Sequence, residues 1–262
     1  MAITSRSNPL VARYRAAARG EAPRVVLLDG EHLIAEALRA GVAIEHAAIT
    51  TAAAERRETR EVIVALTRAG VEPTTVSASV MDALSPVRAS TGIVALAATP
   101  AHAPDAIYGR SGRPLVVVAV DVQDPGNLGA IARVAEAAGA TGVVAAGESA
   151  DPFGWKALRG SMGSSLRLPV VRRETAAAIA DAKGQGCRVI AAAPREGAPM
   201  YGVDLTGPLA IVVGGEGQGL TPAILESADA RMTIPMQPAV ESLNVAVAAA
   251  VILYEARRQR TP

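Results

Sequence analysis

Three separated segments carry residue types able to do chemistry together. Asp124-Pro-Gly-Asn127-Leu-Gly129-Ala-Ile-Ala-Arg133 offers an amide and a guanidinium. Val213-Gly214-Gly215-Glu216-Gly217-Gln218-Gly219-Leu220 sets a carboxylate among four glycines. Ile234-Pro-Met236-Gln-Pro-Ala-Val-Glu-Ser242-Leu243-Asn244 ends in a hydroxyl and an amide. A guanidinium grips phosphate through a two-pronged fork, a glycine loop lets backbone N–H and C=O groups approach a ligand, and amides orient whatever they bond. The spacing excludes other chemistries. No three-glycine dinucleotide turn and no lysine-bearing phosphate loop is present, and a glutamate inside the glycine loop argues against a nucleotide triphosphate. His32, His46, His102 and the single Cys187 form no ligand cluster, so no metal is expected. Each segment also has a plain structural reading. Asn127, Ser242 and Asn244 suit helix starts, Arg133 suits a solvated face or a salt bridge with Glu136 or another acid, and the glycines suit a tight turn.

These segments need elements to place them. Leu115–Val120 is continuously apolar, as a strand buried on both faces is, and Leu128–Ala138 reads as the helix after it, stopped by Gly139. Further strands are expected over 142–146, 189–192, 209–213 and 231–234, and helices over 154–160, 175–184, 221–228 and 242–258. The result is an open, mostly parallel sheet covered by helices, an α/β domain over 114–262. All three chemical segments then lie at strand ends, where such sheets build their sites. Ahead of it, a strand over 24–28, a helix over 33–38, strands over 44–50 and 71–76, helices over 60–68 and 79–84, and a strand over 91–97 make a small α/β domain at 21–98. Residues 99–113, with prolines and glycines, read as a linker, and residues 1–20 as an extension with a short helix from Leu10 to Ala18, capped by Asn8-Pro9.

Composition bounds the partners. The chain has 262 residues, 26 basic and 25 acidic, for a formal charge of +1, which is not the balance of a strongly basic nucleic-acid coat. Aromatics make up 2%, so a base-stacking platform is disfavoured. All the basic residues except Lys156 and Lys183 are arginine. One cysteine excludes an internal disulfide, and Cys187 beside Val189–Ala191 reads as a buried thiol. No apolar run is long enough to span a membrane, and the first residues lack a signal-peptide core, so a cytoplasmic protein is expected.

Taken together, the three segments resemble those of the SpoU family of RNA ribose 2'-O-methyltransferases. Asn127, Gly129 and Arg133 are similar to its first motif. Gly214, Glu216, Gly217, Gly219 and Leu220 are similar to its second. Pro235, Met236, Ser242, Leu243 and Asn244, running on into Leu253-Tyr254-Glu255, are similar to its third. The resemblance covers about 114–260, and residues 20–98 more loosely resemble the ribosomal-protein-like substrate-binding domain of many members. It implies a deep trefoil knot in the C-terminal domain, although general rules make knots nearly absent, and a homodimer through that domain. It implies S-adenosylmethionine as cofactor, held by Val213, Gly214, Gly215, Glu216, Gly219, Leu220, Ile234, Met236, Ser242, Leu243 and Asn244. It implies Arg133, Asn127, Glu216, Ser242 and Asn244 as the catalytic set. In the family the arginine is proposed as base; an ordinary guanidinium stays protonated, so phosphate and hydroxyl positioning is the second role open to Arg133. Arg133, Arg159, Ser164, Arg13 and Arg15 are the expected RNA contacts. The segment Gly160–Ser165 departs from the family's Arg-Ala-Ser-x-Gly-Ala pattern at Met162 and Ser165, which leaves the RNA target open. The substrate implied is structured RNA, 23S ribosomal RNA first. A transfer RNA enzyme and a resistance methylase are the alternatives within the family, and a non-catalytic RNA-binding protein the alternative outside it.

Overall fold

The computed structural model describes residues 2–109, 112–217 and 219–261. Arg110 and Ser111 of the expected linker, Gln218 of the glycine loop, and the terminal Met1 and Pro262 lie outside the described residues. The chain forms two compact units, residues 1–101 with 153–167, and residues 102–152 with 168–262.

In the first unit, α1 (Pro9–Ala18) starts on the Asn8 side chain, which accepts the Leu10 N–H. The sheet is built from β1 (Val25–Asp29), β2 (Ile44–Thr50), β3 (Thr74–Val76) and β4 (Ile93–Ala98) in the order β1-β4-β2-β3. β4 runs antiparallel to both its neighbours, and β2 and β3 are parallel. One apolar layer joins the sheet to α2 (Glu31–Arg39), α3 (Thr51–Ala54) and α4 (Arg57–Arg68) through Leu33, Ile34, Val62 and Leu66. The other joins it to α1 and α5 (Ala78–Leu84) through Val11, Tyr14, Val80 and Leu84. Tyr14 is fully buried, and its hydroxyl is satisfied by His46 Nδ1 at 2.9 Å, while His46 Nε2 meets Thr74 Oγ1 at 3.0 Å. Burial holds the His46 imidazole below its usual pKa.

The second unit is a seven-stranded, wholly parallel sheet. β5 (Leu115–Val120) leads to α6 (Pro125–Ala138) and then β6 (Gly142–Ala146). The chain next leaves this unit. α7 (Trp155–Ser161) and α8 (Ser164–Arg167) place Leu158 and Leu166 in the first unit's core, beside Val26, Leu28 and Ile34. This differs from the expectation that 154–160 is a helix of the C-terminal domain: Leu158 is fully buried and completes the other core. The chain returns as β7 (Val170–Arg173), α9 (Thr175–Gly184), β8 (Arg188–Ala192), β9 (Ala198–Pro199), β10 (Leu209–Gly214), α10 (Pro222–Ser227), β11 (Ala230–Thr233) and α11 (Val245–Arg260).

The strand order is β7-β6-β5-β10-β8-β11-β9. β10 sits between β5 and β8 with Gly214 opposite Val120, so the connections diverge to either side of β5, the place where parallel sheets open a crevice at their carboxyl ends. The expected linker is only partly one. Its 3-10 turn Ala106–Tyr108 buries Ile107 and Tyr108, and Ile107 lies so close to Gly142 that a Cβ there would come within 2.5 Å of it. Cys187 is a buried free thiol, and burial raises its pKa.

Candidate active site

The end of β5 hands the chain to α6 through Asp121–Asp124. Asp124 is the N-cap: its side chain accepts the Asn127 N–H at 2.8 Å, and Pro125 follows at the first helical position. The cap role considered for Asn127 therefore falls to Asp124. Asn127 sits in the first turn with its side chain free to reach outward, and its Nδ2 donates to Glu216 Oε1 at 2.7 Å.

Glu216 is brought there by the loop after β10. A Cβ on Gly214 would lie 2.6 Å from Gly219 C and 2.8 Å from Leu220 N. Only glycine lets the outgoing strand pass under the loop's return.

The third segment follows β11 and ends at Asn244. The helix expected from residue 242 begins instead at Val245, with Asn244 as its N-cap: Asn244 Oδ1 accepts the N–H groups of Ala246 at 2.9 Å and Val247 at 3.3 Å. That fixes the amide's orientation. Nδ2 must then face the other way, and it donates to Glu216 Oε1 at 3.0 Å and to Asn127 Oδ1 at 3.1 Å. Ser242 stays exposed in the preceding loop. One residue from each segment thus meets in a closed triangle, in which the two bonds to the Glu216 carboxylate are charge-assisted and the Asn244–Asn127 bond joins two amides.

Arg133 lies further along α6, exposed. Among the described residues no ion pair or hydrogen bond holds its guanidinium, so the salt bridge weighed with Glu136 is not formed. The triangle borders a cavity of about 360 Å³. Every residue assigned to the cofactor from the sequence lines it: Val213, Gly214, Gly215, Glu216, Gly219, Leu220, Ile234, Met236, Ser242, Leu243 and Asn244. So do residues that were missed, among them Ala192, Ala193 and Pro194 at the end of β8, Leu225, Met232, Val245 and Ala248. The β8 end carries no polar signature, but its place at the carboxyl edge of a central strand is the signal that finds it. One wall is apolar and the mouth carries Glu216 and Asn244, the make-up of a small-molecule site.

The remaining expected RNA contacts lie in the first unit. Arg13 pairs with Glu45, and Arg15 Nε donates to Ala83 O at 3.3 Å. Arg159 is exposed, with the Asp29 carboxyl in its field. Burial raises the Asp29 pKa, against the donor Ser85 and the positive Arg159. Ser164 is 3% exposed, so its hydroxyl is not offered at the surface. Among the described residues no group of three or more acidic, histidine or cysteine side chains is placed to hold a metal, and no helix is long and apolar enough to cross a membrane.

Residues 114–254 match the model of the SpoU rRNA Methylase family, and residues 1–106 match the N-terminal model of the thiostrepton-resistance methylases. The chain belongs to the SpoU rRNA methylase family. Among its SpoU relatives is the 23S rRNA (guanosine(2553)-2'-O)-methyltransferase RlmP of Bacillus subtilis, 34% identical over 231 residues, 88% of each chain. An uncharacterized tRNA/rRNA methyltransferase of Synechocystis is 35% identical over 266 residues, 98% of this chain and 94% of its own. Among solved structures, an RNA 2'-O ribose methyltransferase shares 35% identity at a TM-score of 0.83 over 99% of each chain. The SpoU methyltransferase AviRb of Streptomyces viridochromogenes, in complex with AdoMet, shares 28% at 0.87, over 97% of this chain and 98% of its own.

Proposed function

We propose that this SpoU protein methylates a ribose 2'-hydroxyl of 23S ribosomal RNA, using S-adenosylmethionine. The observation that carries the proposal is the triangle of Asn127, Glu216 and Asn244 at the mouth of the cavity, with an unpaired arginine on the helix that supplies Asn127. The cavity fits the cofactor by size and lining: about 360 Å³ is within the range of small-molecule sites, Leu220, Ile234, Met236 and Leu243 supply an apolar slot for a purine, and the Glu216 carboxylate favours a positively charged ligand. When bound, the cofactor supplies a methyl group on a sulfonium, the ribose oxygen gaining the carbon and the sulfur keeping the bonding pair. The protein's part is to bring the oxygen into line and let its proton leave. Arg133 holds the RNA phosphate beside the reacting ribose and orients the hydroxyl, its planar fork suiting phosphate, and the proton leaves to water at the mouth. Asn127 and Asn244 keep Glu216 aimed along one direction, while Ser242 stands exposed for contact with substrate.

The first unit serves as the RNA-binding domain, through exposed arginines such as Arg159. A second copy covers α11, where Val247 and Tyr254 are about half exposed, giving the homodimer. The deep knot belongs to the same reading, supported by the passage of Gly214 beneath Gly219 and Leu220 and by the central position of β10. The same reading makes this a cytoplasmic enzyme. The match of residues 1–106 to thiostrepton-resistance methylases favours one variant reading, in which the methyl group shields the RNA from an antibiotic.

The test is titration calorimetry with S-adenosylhomocysteine, followed by transfer of labelled methyl to 23S RNA with site mapping. Arg133→Ala should bind S-adenosylhomocysteine within about threefold of the wild type and lose at least about 100-fold in transfer rate, about 2.7 kcal/mol. Absence of S-adenosylhomocysteine binding to the wild type overturns the reading.

A further inference from the structure

Asp121, the first residue after β5, has a left-handed backbone, φ 53°. A residue other than glycine is strained there, and Asp and Asn tolerate it best. The surroundings hold it in place. Its own N–H donates to Ala146 O at 3.2 Å, and its Oδ1 accepts the Glu148 N–H at 2.8 Å. The carboxylate thus ties the β5–α6 connection to the turn after β6. Gly147 makes the room for it, since a Cβ at that position would lie 2.4 Å from Oδ1.

On its other side, the Asp121 carbonyl packs against the glycine loop. A Cβ on Gly215 would lie 2.1 Å from that oxygen, and the Gly215 N–H donates to Val120 O at 2.8 Å. Gly215 directly precedes Glu216. Three residues beyond Asp121, Asp124 caps the helix that bears Asn127. One strained residue therefore stands where the two loops carrying Glu216 and Asn127 cross, and the 2.7 Å bond between those side chains closes the circuit.

We propose that Asp121 is a positioning residue for methyl transfer: its left-handed backbone, locked by its carboxylate on the 147–148 turn, holds the carbonyl under Gly215 and so sets Glu216 against Asn127 and Asn244. The inference rests on the proposed methyltransferase reading. It is distinct from that reading in its evidence, because Asp121 does not line the cavity and acts only through its neighbours.

The test uses the full chain with Asp121→Ala and Asp121→Asn, measuring methyl transfer to 23S RNA, melting temperature, and the side-chain amide resonances of Asn127 and Asn244. Asp121→Ala should lower kcat/KM about tenfold or more and shift both amide resonances. Asp121→Asn, which keeps an acceptor for Glu148 and tolerates the backbone, should recover transfer to within about threefold and restore the resonances. If the alanine variant does not fold, Asp121→Gly removes the carboxylate without strain and should show the same losses. Wild-type transfer in the folded alanine or glycine variant, unmoved amide resonances, or failure of asparagine to rescue overturns the proposal. If the wild type transfers no methyl group, the functional reading falls, and the amide resonances still decide whether Asp121 sets the triangle.

Discussion

Asn244 does two jobs with opposite ends of one amide, and a single substitution separates them. Its Oδ1 caps α11, and its Nδ2 donates to Glu216 and Asn127. Asn244→Ala removes both functions, and losing the cap alone costs about 0.5–2 kcal/mol. Asn244→Asp keeps the cap, since the two residues cap about equally well, but replaces the donor with a carboxylate facing that of Glu216. Two charges about 4 Å apart repel by about 1 kcal/mol in water and about 4 kcal/mol near a protein surface. Both residues are exposed, so about 2 kcal/mol is the fair value, or about 30-fold in rate if the triangle is needed in the transition state. The repulsion acts in the folded protein and vanishes once a carboxylate is protonated, so the expected pattern is an alanine variant that is slow and less stable than the wild type at every pH, and an aspartate variant that transfers methyl about 30-fold more slowly at pH 7 and whose melting deficit at pH 7 closes near about pH 3. Thermal melts beside a labelled-methyl assay on 23S RNA read both quantities. An aspartate variant of full activity would remove the triangle from the mechanism; one that still melts with the alanine variant near about pH 3 would show that the cap analysis is wrong.

Two further outcomes follow from the packing. Gly214→Ala would drive a Cβ to 2.6 Å from backbone at Gly219, so S-adenosylhomocysteine affinity should fall by at least about tenfold, about 1.4 kcal/mol, in calorimetry, whereas Gly202→Ala, with nothing within 4 Å, should leave it unchanged. Glu255 is held down to a pKa of about 2 by the hydrogen bonds from Arg258 and Gln259. Its folded value lies below the unfolded one, so its stabilisation is present above about pH 4.5 and is lost as pH falls through about 2. Arg258 is 70% exposed, which limits the effect to about 1 kcal/mol. Glu255→Gln should therefore lower the melting temperature at pH 7 by about 2–4 °C and flatten its decline between pH 4.5 and 2. An unchanged acid slope would remove Glu255 as its source.

The central strands were legible because Leu115–Val120 and Leu209–Val213 are unbroken apolar runs, which only a doubly covered strand needs. β7 was not foreseen: Arg172 and Arg173 occupy half of it, and both are exposed because it is an edge strand. β9 is two residues long and contains Pro199, which an edge tolerates. The apolar pattern of α6 begins only at Leu128, where the helix meets the core, while the cap pair Asp124-Pro125 marks its true start. For the site, the three segments could be named from glycines and polar residues beside strands. Their convergence could not, since Asn127 and Asn244 are 117 residues apart and only the strand order brings them together. The offset of α11 had the same root: Ser242 and Asn244 both suit a cap, and the choice is made by the bonds Asn244 forms on its other side.

The excursion of residues 153–167 has a consequence for how this chain can be divided. A protein cut at residue 101 would carry four strands and their helices but leave the places of Leu158 and Leu166 empty, exposing Val26, Leu28 and Ile34 to water. The remainder, freed of its first hundred residues, would trail a greasy pair of short helices between β6 and β7. Neither piece keeps this packing intact, so a boundary drawn at residue 101 cuts through a core that only the later segment 153–167 completes.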